Sequence, residues 1–119
     1  VLRPGHLPVD LLPGFLGGAE VVAYPSLGEG FGLPVLEALA CGAAVLTTRK
    51  LALPEVGGDA VAYTGTGAGD IAAALVDLLD TPGRRAELAA AAVVRAKQFT
   101  WTASAEAHHE AYVRAAAGR

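Results

Sequence analysis

Three stretches, Glu20-Val21-Val22-Ala23-Tyr24-Pro25, Leu33-Pro34-Val35-Leu36-Glu37-Ala38-Leu39-Ala40-Cys41-Gly42 and Ala43-Ala44-Val45-Leu46-Thr47-Thr48, decide the fold. Glu20–Tyr24 is a continuous apolar run, too short for a helix and stopped by Pro25, the pattern of a strand buried on both faces. Leu33–Cys41 reads as a short helix, with Pro34 suited to its first position and Gly42 to a left-handed stop. Ala43–Thr48 is the next buried strand. Outward from this unit, Pro54–Gly58 allows one turn of helix and Ala60–Tyr63 a third strand. From Asp70 the pattern is helical, with Ile71, Leu75, Leu78 and Leu79 on one face up to Pro82. Further helices are expected over about Gly83–Lys97 and Trp101–Ala117, the last anchored by Trp101. Towards the N-terminus, Val9–Leu16 has helical spacing interrupted by Pro13 and Gly14, and Val1–Leu2 reads as the tail of a strand. Apolar strands alternating with helices imply an α/β fold. The expected architecture is a partial doubly wound, Rossmann-like parallel sheet of three to four strands, with helices on both faces and a helical C-terminal third. Residues 1–119 form one domain.

Composition narrows the function classes. The 119 residues are 53% hydrophobic, too apolar for a disordered tail. A net charge of −3 argues against a nucleic-acid partner or a polybasic membrane patch. No apolar run approaches the roughly 20 residues of a spanning helix. The single cysteine, Cys41, excludes an internal disulfide and a cysteine-based zinc site, which favours a reducing, cytoplasmic setting. The chain opens on Val1 and contains no Met, so it is expected to be a piece of a longer protein.

The chemistry concentrates between the first strand and the first helix, in Pro25-Ser26-Leu27-Gly28-Glu29-Gly30-Phe31-Gly32-Leu33-Pro34. Open α/β sheets bind ligands where strands deliver their carboxyl ends. Glycines at 28, 30 and 32 allow close backbone approach, and amides around Gly30–Leu33 would face a helix N-terminus, which favours phosphate. A plain turn rich in glycine explains a lone G-x-G-x-G equally well. Glu29 and Glu37, with seven residues between them, add to the pattern. Carboxylates repel phosphate but accept hydrogen bonds from sugar hydroxyls. Glu37 also reads as an ordinary glutamate at the third or fourth helical position, stabilised by the macrodipole.

With Gly-Phe-Gly-Leu-Pro between the glutamates and Ala-Leu-Ala-Cys-Gly after them, the segment resembles the E-x7-E signature of GT-B retaining glycosyltransferases of the GT4 type (glycosyl transferases group 1). Ala19–Ser26 resembles that family's "aDvfvyPS" strand, with Glu20 in place of Asp. Leu53–Ala60 resembles "lPEvxGdaa", Arg84–Leu88 matches "R-x-x-L", and Phe99-Thr100-Trp101 resembles "F-s-W". The resemblance implies a C-terminal domain that binds a nucleotide-diphospho-sugar, UDP-, GDP- or ADP-linked, for a hexosyltransferase-type reaction with retention and without a metal or other cofactor. Glu29 would take the catalytic role, accepting hydrogen bonds from the donor sugar. Amides of Gly30, Phe31 and Gly32 would contact the sugar and distal phosphate, and Leu33, with Val35, the diphosphate. Glu37 would bind the ribose, and Gly5, His6 and Leu7 the base.

The family's strand order, 3-2-1-4-5-6, would leave this chain with the end of strand 3 and strands 4, 5 and 6. The Arg and Lys that stabilise the leaving group come from a part of the domain outside this sequence. The chain alone is therefore expected to be inactive, with an acceptor that stays unspecified and peripheral membrane association open to the longer protein. Strand Glu20–Tyr24 would have an open edge, favouring self-association. Replacing Gly30 or Gly32 by Val is expected to block the donor without preventing folding. Two other readings remain: a non-catalytic nucleotide-sugar-binding or assembly module, and a generic dinucleotide-binding domain. The latter is disfavoured by the lack of G-x-G-x-x-G after the first strand. Gly65-Thr66-Gly67-Ala68-Gly69 imitates a phosphate loop but reads better as a strand-to-helix connection. His108 and His109, about 100° apart on a helix, do not suit a shared metal.

Overall fold

The computed structural model describes residues 1–118. Three strands, β1 (Val22–Tyr24), β2 (Val45–Thr48) and β3 (Ala62–Thr64), form a parallel sheet in the order β1-β2-β3. Val22 pairs with Val45 and Thr47 with Tyr63, fixing the register. A 3-10 turn (Val9–Leu11) leads into α1 (Leu12–Gly17), and α2 (Leu33–Ala40) and α3 (Leu53–Gly57) connect the strands. Then α4 (Ala68–Asp80), α5 (Pro82–Ala96) and α6 (Trp101–Ala117) complete the helical C-terminal third.

Successive β2 side chains point to opposite faces, and this divides the core in two. Val45 packs in one cluster with Val35, Ala38, Leu39, Leu53, Val56 and Ala92. Leu46 packs in the other with Ala44, Leu78 and Leu88. Every β2 residue is buried, as the apolar run Ala43–Leu46 leading into it implies for a central parallel strand. The Gly42 stop also forms as expected. Its φ is 72°, its amide donates to Leu39 O at 3.0 Å, and the Ala43 amide donates to Ala38 O at 3.1 Å. This 6→1 and 5→2 pair closes α2 and delivers the chain directly into β2. At the end of α4, the Arg85 guanidinium donates to the Leu78 and Leu79 carbonyls, at 2.6 Å each, and pairs with Glu20 at 2.8 Å.

Three expectations are corrected. Strand β1 holds the expected edge position but is not buried on both faces: among the described residues Ala23 is exposed and its neighbours are half-buried. Val1–Leu2 forms no strand; both residues are exposed in an irregular segment. Trp101 is 89% exposed, so it does not anchor α6, none of whose described side chains is buried. What starts α6 is the Thr100 hydroxyl, which accepts the Ala103 N–H at 3.0 Å.

Candidate functional site

The Gly-rich loop leaves the carboxyl end of β1 and is tied to the carboxyl end of β2. The Thr47 hydroxyl donates to Tyr24 O at 2.8 Å and the Thr48 hydroxyl to Ser26 O at 2.6 Å. Both threonines are buried, so these bonds also satisfy polar groups in the core. The half-buried Glu29 is held in turn by the strand that precedes it. Its Oε1 accepts the Tyr24 hydroxyl at 2.6 Å and the Ser26 hydroxyl at 2.8 Å. The Tyr24 hydrogen bond, seconded by that of Ser26, holds the Glu29 carboxyl below the usual carboxylate range. The same bond pushes the Tyr24 phenol up. Glu29 is thereby an oriented, ionised acceptor whose Oε2 makes no hydrogen bond within the described chain. Tyr24, Ser26, Thr47 and Thr48 hold this loop and its carboxylate, and motif spacing did not single them out. The signal was present as a polar end to two otherwise apolar strands.

Directly after Glu29, the amides of Gly30, Phe31, Gly32 and Leu33 donate to no acceptor among the described residues. Gly32 is the N-cap of α2 with φ 97° and ψ 45°. Its carbonyl accepts the Val35 amide at 3.0 Å and the Leu36 amide at 3.2 Å. Val35, expected to face a diphosphate, is therefore committed inside the helix. Helix α2 begins at Leu33 as expected, which makes Pro34 its second residue rather than its first and Glu37 its fifth rather than its third or fourth. Glu37 stands exposed past the first turn, where the macrodipole has little hold on it. The glycines also divide. A Cβ on Gly30 would meet nothing within 4 Å, whereas one on Gly32 would lie 2.8 Å from Leu53 Cδ2 at a left-handed φ. Substituting Gly32 therefore strains the fold itself, contrary to the expectation for both glycines, and only Gly30 probes the ligand side cleanly.

The structure brings Glu29, Gly30, Phe31, Gly32 and Leu33 into one loop and places Glu37 on the helix it opens. Gly5, His6 and Leu7 lie on a bend near the N-terminus that belongs to no strand or helix. Gly5 (φ 71°) and His6 are exposed, Leu7 is half-buried, and no hydrogen bond of the described chain joins these residues to the loop or to Glu37. With Val1–Leu2 outside the sheet, nothing fixes that turn to a strand end. Arg49 spreads its guanidinium 3.9 Å above the Tyr63 ring. In the Gly65–Gly69 connection, a Cβ on Gly65 or Gly67 would run into the Asp70 carboxylate. An acidic group thus fills that loop and repels phosphate. His108 Nδ1 lies 2.7 Å from Ser104 O and its ring leans on Tyr112. Among the described residues, no group of three or more His, Cys, Asp or Glu could hold a metal ion. No described helix is long and apolar enough to cross a membrane.

The fold is that of an α/β domain with a Rossmann-like partial sheet, whose strand carboxyl ends present an anchored carboxylate and amides without an acceptor among the described residues. Comparison with known proteins makes the class specific. The family model described as glycosyl transferases group 1 matches residues 1–81, and the chain belongs to that family. It is 39% identical over 98 residues to the O-antigen chain mannosyltransferase B of Escherichia coli, covering 82% of this chain and 26% of the relative. It is 43% identical over 112 residues to the D-inositol 3-phosphate glycosyltransferase of Kineococcus radiotolerans, covering 85% and 26%. A D-inositol 3-phosphate glycosyltransferase 2 from Catenulispora acidiphila is 38% identical over 112 residues, covering 90% and 26%. The chain thus spans about a quarter of the length of these curated relatives.

Proposed function

We propose that this chain holds the donor of a retaining, hexosyltransferase-type sugar transfer, a UDP-, GDP- or ADP-linked sugar. The observation that carries the reading is the pairing of Glu29, ionised and oriented by Tyr24 and Ser26, with the free amides that follow it. Sugar hydroxyls donate to Glu29, and the amides of Gly30, Phe31 and Gly32 meet the sugar and distal phosphate. The Leu33 amide faces the diphosphate and Glu37 takes the ribose hydroxyls. As the acceptor oxygen bonds to the anomeric carbon, the bond from that carbon to the phosphate oxygen breaks. The departing nucleoside diphosphate keeps the electron pair, and the acceptor's proton passes to it. Amides at a helix start stabilise that charge without reorganising, so the reading assigns no role to a metal.

Cationic groups for the leaving diphosphate would come from outside this chain, since Arg49 is engaged with Tyr63. The chain alone is then a donor-binding unit, and transfer belongs to a longer protein in the cytoplasm, with a membrane-peripheral position and an acceptor that it would supply. Binding without transfer in the longer protein would instead mark a non-catalytic module.

The two glutamates test the reading because their losses should differ in kind. Calorimetric titration with UDP-glucose, GDP-mannose and ADP-glucose is compared with UDP, GDP and ADP. Glu29→Gln weakens the sugar-linked ligand and spares the diphosphate, whereas Glu37→Ala weakens the diphosphate itself by about 1.5–3 kcal/mol. Equal effects of both changes on nucleoside diphosphate binding would refute the assignment.

A further inference from the structure

Phe31 sits in the middle of the free amides, and its ring meets a residue from the far end of the chain. The Phe31 and Phe99 centroids are 5.9 Å apart with planes at 81°, the edge-to-face arrangement that aromatic quadrupoles favour. Phe99 belongs to the short turn between α5 and α6. Its amide donates to Ala96 O at 3.1 Å, and the next residue is the Thr100 cap of α6. Arg95 places its guanidinium carbon 5.1 Å from the Phe99 centroid. That guanidinium is itself held. It donates to Val56 O at 3.1 Å, to Glu55 O, and to Gln98 Oε1 at 2.6 Å. Gly58, at φ 52°, leaves room for it, since a Cβ there would lie 3.3 Å from its carbon. A continuous set of contacts therefore runs from the α3 carbonyls through Arg95 and Phe99 to the loop.

We infer that Phe99, fixed by Arg95, is a positioning residue for the donor site, clamping Phe31 so that the Gly30, Phe31 and Gly32 amides stay aimed at the sugar and distal phosphate. The inference rests on the donor-site reading above. Without Phe99 the Phe31 ring loses its packing partner, and the amides on either side of it regain freedom that ligand binding must then remove. Ligands that reach only Glu37 are indifferent to this.

The test compares UDP-glucose, GDP-mannose and ADP-glucose with UMP, GMP and AMP, which lack the sugar and distal phosphate assigned to the Gly30, Phe31 and Gly32 amides. Phe99→Ala should weaken the sugar-linked ligand about 2- to 12-fold, the range that an aromatic pair supplies. The monophosphate should bind as to the wild type, and Phe99→Tyr, which keeps the ring, should restore affinity. Phe31→Ala should show the same selective loss, and the double variant no further loss, since the two rings act as one unit. Equal weakening of both ligand types would reduce Phe99 to a structural residue and overturn the inference. So would unchanged sugar-nucleotide affinity in Phe99→Ala. A wild-type protein that binds none of the three sugar nucleotides overturns the donor reading and this inference together. Normal wild-type binding with an indifferent Phe99 overturns the inference alone.

Discussion

Gly32→Ala should destabilise the fold, and the size of the loss follows from two contacts. The residue caps α2 at φ 97°, a conformation that L side chains rarely adopt. Holding alanine there costs about 1–2 kcal/mol. The new methyl would also lie 2.8 Å from Leu53 Cδ2, and Leu53 is fully buried. Crowding a packed core costs about 1–3 kcal/mol. Together these give about 2–5 kcal/mol, a large part of the roughly 5–15 kcal/mol that holds a domain together. Gly30→Ala is the control, because its Cβ would meet nothing within 4 Å and its φ is ordinary; it should stay within about 0.5 kcal/mol of the wild type. Chemical denaturation followed by far-UV circular dichroism reads both as midpoint shifts at constant slope. Leu53→Ala made alone and combined with Gly32→Ala separates the terms. The pair should be less destabilised than the sum of the singles, because removing the leucine methyls relieves the crowding. Equal stability of Gly32→Ala and Gly30→Ala, or strict additivity with Leu53→Ala, would refute this account of the cap.

Two further outcomes follow from the site and the sheet. Tyr24→Phe removes the principal hydrogen bond that depresses the Glu29 pKa, so the Glu29 carboxyl resonance should titrate closer to the ordinary carboxylate range. Because the folded value is depressed, Glu29 contributes stability that is present above that range and lost as pH falls through the folded value. The substitution should flatten this acid limb, and an unchanged Glu29 titration would contradict the coupling. The unpaired edge of β1, with Ala23 exposed, should drive self-association of the isolated chain. Sedimentation at high concentration should exceed the mass of one chain, and a stable monomer with a cooperative thermal transition would contradict it.

The central unit was legible in the sequence for local reasons. The apolar run Ala43–Leu46 needs no partner information to be read as a buried strand, and Gly42 announces its own left-handed turn. The loop that carries Glu29 and the unpaired Gly30–Leu33 amides was legible as a glycine-rich link from a strand end to a helix start. Its supports were not: Tyr24 and Ser26 reach Glu29 only once the loop turns back on its own strand, and Thr47 and Thr48 find their acceptors only once two strand ends lie side by side. The Arg95–Phe99–Phe31 contacts are more remote still, since they join parts of the chain that no periodicity relates. The failures have the same origin. Apolar character predicts burial only where an element arrives to cover the residue, and none of the described residues covers Trp101, Val1, Leu2 or the outer side of β1.

Amide mapping by nuclear magnetic resonance tests the central claim most directly. Isotope-labelled protein is titrated with UDP-glucose, GDP-mannose and ADP-glucose in turn. The Gly30, Phe31, Gly32 and Leu33 amides have no acceptor within the described chain, so one of these ligands should move all four together, downfield as hydrogen bonds form, with the Glu29 carboxyl shifting alongside. Saturation that leaves those four resonances in place, or that perturbs the Gly65–Gly69 connection instead, would contradict the assignment of the donor site.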